Sequence, residues 1–229
     1  MPIRRPAAAA LVCWTLAAAA GCQGQSSRII RELPVDPIAT AAPVRAGQAG
    51  RPAARGHALS AKQTPSAWVP KTTERPWRWI VVHHSASDFG SAKIFDHWHR
   101  RRGWDELGYH FVITNGSGGT DGKVEVGSRW VKQKWGAHCK TRGNLHNDYG
   151  IGICLVGSFC DQLPSTAQLA SLRKLTRFLA RRYRISPANV IGHRDAPGAS
   201  TRCPGEALHR WLHTTLRPHL ARTEALTRR

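Results

Sequence analysis

Acidic residues are scarce in this chain: 14 Asp and Glu stand against 34 Lys and Arg in 229 residues, for a formal net charge of +20. The imbalance favours polyanionic partners, whether nucleic acid, anionic lipid or the acidic polymers of a bacterial wall. A base-reading motif is missing, which argues against a sequence-specific nucleic-acid binder. No internal repeat is present, so repeat architectures drop out. No apolar run is long enough to span a membrane as a mature helix; the Ala7 to Ala20 stretch is too short. Between Gln23 and Trp68 there is no Phe, Tyr or Trp and no sustained apolar period, so that stretch has little with which to build a core. What remains is sufficient for one ordinary domain with extra segments: 41% of residues are hydrophobic and 9 are Trp.

Arg4 and Arg5 precede the apolar run, which ends at Gly21-Cys22. A charged start, a short apolar stretch and small residues before the break form an export signal. Ala19-Ala20-Gly21-Cys22 resembles a bacterial lipobox, in which the Cys is lipidated and becomes the new N-terminus. Ala19 departs from the usual Leu, so plain cleavage nearby is the alternative. The expectation is an export signal of lipoprotein type over 1–22 and a flexible tether over 23–75. The mature protein would sit in the cell envelope or periplasm, held to the membrane through a lipid anchor at Cys22. Export removes access to chromosomal DNA, so no nucleic-acid partner is expected. Of the 6 cysteines, Cys13 leaves with the signal. Export makes a disulfide feasible among Cys139, Cys154 and Cys160, though three cannot all pair with one another.

Order is expected from about Trp77. Trp77 to His83 is β-branched and aromatic, and its continuous apolar run suits a central strand covered on both faces. Ser91 caps a predicted helix that carries Ile94, Phe95 and Trp98 and ends near Gly103. Gly108 to Thr114 reads as a second strand, Val124 to Val126 as a short one after a Gly-rich turn, and Tyr149 to Gly157 as a third long one. Ser165 and Gln168 form a capping box ahead of Leu169, Leu172, Leu175, Leu179 and Tyr183 at helical spacing. A last helix after Pro204-Gly205 carries Leu208, Trp211, Leu212 and Leu216. The order of elements gives an α/β fold, a central mixed sheet flanked by helices.

His83 stands at the end of the first strand, His193 follows the apolar pair Val190-Ile191, and Cys203-Pro204 comes ten residues after His193. Two imidazoles and a thiolate suffice to hold Zn²⁺, and three protein ligands leave a fourth position for water, as hydrolytic zinc sites require. His84 competes with His83 for the first place. With 12 His in the chain, spacing alone makes this a modest signal.

The surrounding words sharpen it. Trp79 to Ala86, then Gly103-Trp104, Leu107 to Phe111, Gly136-Ala137-His138, Gly150 to Gly157, Gly192-His193-Arg194 and Cys203-Pro204-Gly205 stand in one order. That series closely resembles the zinc N-acetylmuramoyl-L-alanine amidases of the second amidase family, which includes the phage lysozyme-type amidases and the animal peptidoglycan recognition proteins. The resemblance runs from about Trp77 to Leu216. It implies a zinc amidase domain over 76–222 and leaves 223–229 as a basic tail. By position, His83, His193 and Cys203 match the zinc ligands. Tyr109 matches a Tyr beside the catalytic water. Thr201 stands where relatives carry Lys or Thr that steady the tetrahedral intermediate. Arg194 and Arg202 are candidate sources of charge there. His138 matches a His near the substrate cleft, able to shuttle a proton or to hydrogen-bond the sugar or peptide. Some branches carry a Glu as general base on the Ile-Gly-Ile strand; here Cys154 takes its place, as the phage-type branch also lacks the Glu.

The implied reaction is hydrolysis of the amide between N-acetylmuramic acid, or its anhydro form, and L-alanine. The expected substrate is peptidoglycan or a muropeptide, the expected cofactor Zn²⁺ and the expected state a monomer. Anionic envelope polymers are further candidate partners for the Arg-rich surface. A non-catalytic peptidoglycan-binding receptor is the alternative, and the presence of both Cys203 and Tyr109 favours the enzyme.

Overall fold

The computed structural model describes residues 64–227. The expected export signal, the lipidation site at Cys22 and most of the tether lie outside those residues. The elements run β1 (Trp79–His84), α1 (Ala92–Arg101), β2 (Phe111–Ile113), β3 (Val124–Val126), α2 (Ser128–Val131), α3 (Leu145–Asp148), β4 (Gly150–Leu155), α4 (Thr166–Tyr183), β5 (Val190–Gly192), α5 (Glu206–Trp211), a π-helical turn (Leu212–Leu216) and α6 (Arg217–Thr227). The sheet order is β3-β2-β4-β1-β5. All pairs are parallel except β2 with β3. The fold is thus α/β, a mixed sheet flanked by helices.

The pleat sorts each strand's residues by face. Ile80 and Val82 of β1, Phe111 and Ile113 of β2, and Ile151, Ile153 and Leu155 of β4 join one core with Leu172, Leu175 and Leu179 of α4 and Leu208, Leu212, Leu216 and Leu220 of the last helical run. We call this the back of the sheet. The intervening residues form the front: Val81 packs with Cys139 and Ile191, while Val112 and Cys154 pack with Phe95 and Leu107. The front carries smaller and more polar side chains, and the candidate site lies there.

The capping box forms: Gln168 N donates to Ser165 Oγ at 3.0 Å and Gln168 Oε1 accepts from Ser165 N at 3.3 Å. Gln168 Nε2 also donates to the Ile113 and Val156 carbonyls, tying α4 to the ends of β2 and β4. Ser91 caps α1 through Ile94 N. Three strands are shorter than their sequence suggests: β4 stops at Leu155, short of the expected Gly157, and β1 and β2 start late. Trp77 lies before β1 because its indole donates to Gln133 Oε1 at 2.9 Å. Gly108 is diverted from β2 because its N–H donates to His99 Nδ1 at 3.0 Å. Cys139 and Cys154 are free thiols, so neither pairs with Cys160.

Candidate active site and metal centre

Parallel pairing aligns the C-terminal ends of β1, β4 and β5, and the loops beyond them converge, as is usual for sites on open α/β sheets. His83 is the second-to-last residue of β1 and opposes Cys154 of β4. His193 begins the 3-10 turn directly after β5. Cys203 comes back beside β1, where its Sγ accepts from His84 N at 3.4 Å and lies 3.7 Å from His83 Nδ1. Ligand atoms of His83, His193 and Cys203 all lie within 4.8 Å of one another. His84, one residue on, does not join them; its Nδ1 accepts from Phe159 N at 3.4 Å. The alternation of a strand separates these two neighbours.

Burial governs the electrostatics. It drives the His83 pKa well below the ordinary imidazole value, reinforced by His193, His138 and His84. Burial likewise lowers His193 to about 4 and raises the Cys203 thiol to about 12. Neutral imidazoles have free lone pairs, and a buried thiol loses its proton when a metal cation takes that proton's place. The donor set therefore fits a soft divalent ion such as Zn²⁺.

His138 is buried and uses both ring nitrogens. Its Nε2 lies 3.1 Å from the Gly150 carbonyl and its Nδ1 lies 3.1 Å from His83 Nε2. A carbonyl only accepts, so the His138 proton sits on Nε2 and Nδ1 is left as an acceptor. His83 then carries its proton on Nε2, which frees the Nδ1 lone pair on the side facing Cys203. Burial also holds His138 neutral, its pKa well below the ordinary value. Two glycines make room for this ring. A Cβ on Gly152 or on Gly136 would stand 2.3 Å from His138 Cδ2. The Gly in the Ile-Gly-Ile strand is thus a steric requirement of His138.

The Tyr109 ring lies beside His83, tilted by 54° with ring centroids 5.3 Å apart. Burial raises its pKa well above the ordinary phenol value, with Cys154 and Cys203 adding to the effect. Burial pushes the Cys154 thiol up as well, so it stays neutral. Thr201 Oγ1 accepts from Cys203 N at 3.1 Å, placing it beside the sulfur. Arg194 is engaged with Glu206 at 2.7 Å, and Arg202 is exposed.

A clamp that the sequence pattern does not reveal holds the His193 loop. Asp195 accepts from Gly192 N at 2.9 Å, His209 Nε2 at 2.7 Å and His213 Nε2 at 3.2 Å. These three side chains also place ligand-type atoms within 4.8 Å of one another. Arg217 decides their role: its Nη1 donates to His213 Nδ1 at 2.9 Å, so the His213 proton must sit on Nε2, and that nitrogen has no lone pair for a metal. The cluster is a hydrogen-bonded brace joining the His193 loop to the helix that follows Cys203. The i, i+4 spacing of His209 and His213 is its only trace in the sequence.

A family model described as N-acetylmuramoyl-L-alanine amidase matches residues 73–206. The chain is 32% identical over 159 residues to the N-acetylmuramoyl-L-alanine amidase of Sus scrofa, covering 63% of this chain and 24% of that protein. It is 36% identical over 140 residues to the endolysin of Escherichia phage T7, covering 58% of this chain and 83% of the endolysin. Mouse peptidoglycan recognition protein 1 is 32% identical over 152 residues, 60% of this chain and 77% of that protein. The chain thus spans about a quarter of the mammalian amidases and most of the two smaller relatives. Among solved structures, wild-type Drosophila PGRP-LB aligns with a TM-score of 0.50 and 26% identity over 65% of this chain and 88% of that one. A complex of PGRP-LCa and PGRP-LCx with bound tracheal cytotoxin aligns with a TM-score of 0.51 and 25% identity, over 67% of this chain and 91% of that one.

Proposed function

Because this chain belongs to the N-acetylmuramoyl-L-alanine amidase family, we propose that it hydrolyses the amide bond between N-acetylmuramic acid, or its anhydro form, and L-alanine in peptidoglycan or muropeptides. The observation that carries the reading is the convergence of His83, His193 and Cys203 within 4.8 Å at one end of the sheet. These three residues would hold Zn²⁺, which when bound supplies Lewis-acid polarisation of the scissile carbonyl and activation of water.

The remaining side chains have separable tasks. His138 keeps the His83 proton on Nε2 and so keeps Nδ1 available as a donor atom. The Tyr109 phenol remains protonated and can donate a hydrogen bond to the oxygen that gains charge as the amide carbon becomes tetrahedral. Thr201 is placed to donate a second from beside Cys203. Cys154 is too weak an acid to be ionised and is not the proton acceptor that a Glu provides in other branches. The buried His138 has both nitrogens occupied, so its part is to position His83 and not to shuttle protons.

Substrate of muropeptide type is supported by the tracheal cytotoxin complex among the structural neighbours. We propose a cell-envelope location for this activity, on the expected export signal and the lipobox-like Cys22; the mass of the mature N-terminal peptide tests it. For the activity itself, defined muropeptides are incubated with and without a chelator and the products weighed by mass spectrometry. His83→Ala and Cys203→Ala should each abolish cleavage. Full activity in either variant would remove the metal assignment. Binding without release of new L-alanine amino termini would instead identify a receptor.

A further inference from the structure

Helices α4 and α6 lie on the back of the sheet, away from the candidate site, and their outer surface is strongly cationic. Arg173, Lys174, Arg177 and Arg184 belong to α4 and its C-terminal cap, and Arg222 to α6. None of these five makes an ion pair with a carboxylate among the described residues, in contrast to Arg100, Arg129, Arg182 and Arg194. Arg173 lies over the Trp211 ring and Lys174 over the Trp68 ring, each at 5.8 Å, so Arg177, Arg184 and Arg222 are the cations of this face without an ion pair or ring contact among the described residues. Between the helices runs a groove of about 450 Å³ in which Arg177, Arg181 and Arg184 stand over a floor of Ala180, Ile185 and Leu220. Glu224 is the one carboxylate in its lining. The concentration of charge is felt locally: the pKa of His219, on α6, is lowered by partial burial and by Arg173, Arg222 and Arg177. One turn beyond Arg222, Leu226 is 76% exposed.

We propose that this α4–α6 face is a docking surface for an anionic phospholipid bilayer. Unpaired cations meet lipid phosphates, and each Lys or Arg near such a surface contributes favourably. The apolar groove floor and Leu226 favour a bilayer over a soluble polyanion, because they offer contacts to glycerol and acyl groups that a purely polar polymer cannot use. No helix among the described residues is long and apolar enough to cross a membrane, so contact is peripheral. Docking by the back leaves the front free for substrate. The proposal does not depend on the amidase reading.

Co-sedimentation of the full chain with vesicles decides it. Vesicles of phosphatidylcholine containing phosphatidylglycerol should bind the chain far better than pure phosphatidylcholine, and rising salt should weaken the difference. The triple variant Arg177→Gln/Arg184→Gln/Arg222→Gln should lose about five-fold per arginine, on the order of a hundred-fold in all. Leu226→Asp, at an exposed helical position, should lose roughly ten-fold. A front-side control, Lys93→Gln/Arg101→Gln/Arg142→Gln, should bind within a few-fold of the parent, and circular dichroism should be unchanged in every variant. Equal binding to both vesicle types, or a back-face triple that binds like the parent, overturns the proposal. So does a triple variant that loses binding to purified wall sacculi while keeping its binding to anionic vesicles, which would make the partner a wall polymer.

Discussion

Gly152→Ala is the sharpest test of how the site is held. The new methyl would lie 2.3 Å from His138 Cδ2 and 2.6 Å from Cγ, distances that no ring tolerates. The ring cannot retreat, because a Cβ-sized space is also missing on the Gly136 side. His138 must therefore leave its place and give up its bonds to Gly150 O and His83 Nε2. Overpacking costs about 1–3 kcal/mol, and each lost buried hydrogen bond about 1 kcal/mol. A total of about 3–5 kcal/mol corresponds to a fall in Tm on the order of 6–20 °C for a domain of this size. With His83 free to swap tautomers, zinc affinity should drop roughly 10–100-fold, as for other residues that orient metal ligands. Calorimetry reads the first quantity and chelator competition the second. His138→Phe separates them: it fills the same space without nitrogens, so zinc affinity should fall by a similar factor at a smaller cost in Tm. If Gly152→Ala bound zinc as tightly as the parent, the relay from Gly150 through His138 to His83 would have no part in preparing the site.

Three further outcomes follow from named contacts. Asp195→Asn keeps one acceptor oxygen and sets an amide donor in place of the other, against His209 Nε2 or against His213 Nε2 and Gly192 N, so Tm should drop by about 4–8 °C, from about 2 kcal/mol of lost hydrogen bonding; an unchanged Tm would show that the brace between the His193 loop and the helix after Cys203 is idle. Tyr109→Phe should reduce kcat by roughly 100-fold while leaving zinc affinity intact, the pattern of a lost hydrogen bond to the oxyanion; a change confined to KM would contradict that role. His110 is fully buried, and burial lowers its pKa to about 3 from an ordinary 6.5. Its unfolded form binds a proton first on acidification, so its contribution is complete above the unfolded value and is lost as pH falls from 6.5 towards 3. The slope is about 1.4 kcal/mol per pH unit. Urea unfolding at pH 6.5 and pH 5 should therefore show the parent losing about 2 kcal/mol more than His110→Gln, and parallel losses would refute the assignment.

Much of this was legible because two periodicities are strong. The capping box at Ser165 and the leucine spacing after it locate α4 to the residue, and the β-branched run locates β1 within two. The ends of β1 and β2 were less legible because distant side chains, Gln133 and His99, claim backbone and indole groups that local pattern assigns to the sheet. His83, His193 and Cys203 could be chosen from their surrounding words, and strand alternation explains why His83 and not its neighbour His84 faces them. The environment of His138 was not legible: its burial depends on two glycines that are close only in space. The brace at Asp195 was equally hidden, since its partners lie 14 and 18 residues further along the chain.

The two-sided sheet also bears on how this domain can change. Large aliphatic side chains from strands and helices interlock behind it, whereas the front is furnished with His, Gly and Cys. Loss of a front residue removes little apolar surface from the interlocked side, so a mutated site need not mean an unfolded protein. Conversely, the outer faces of α4 and α6 can gain or shed charge without disturbing a group at the strand ends. Adhesion and chemistry are thus free to drift independently in this architecture, each with its own side of one sheet to vary.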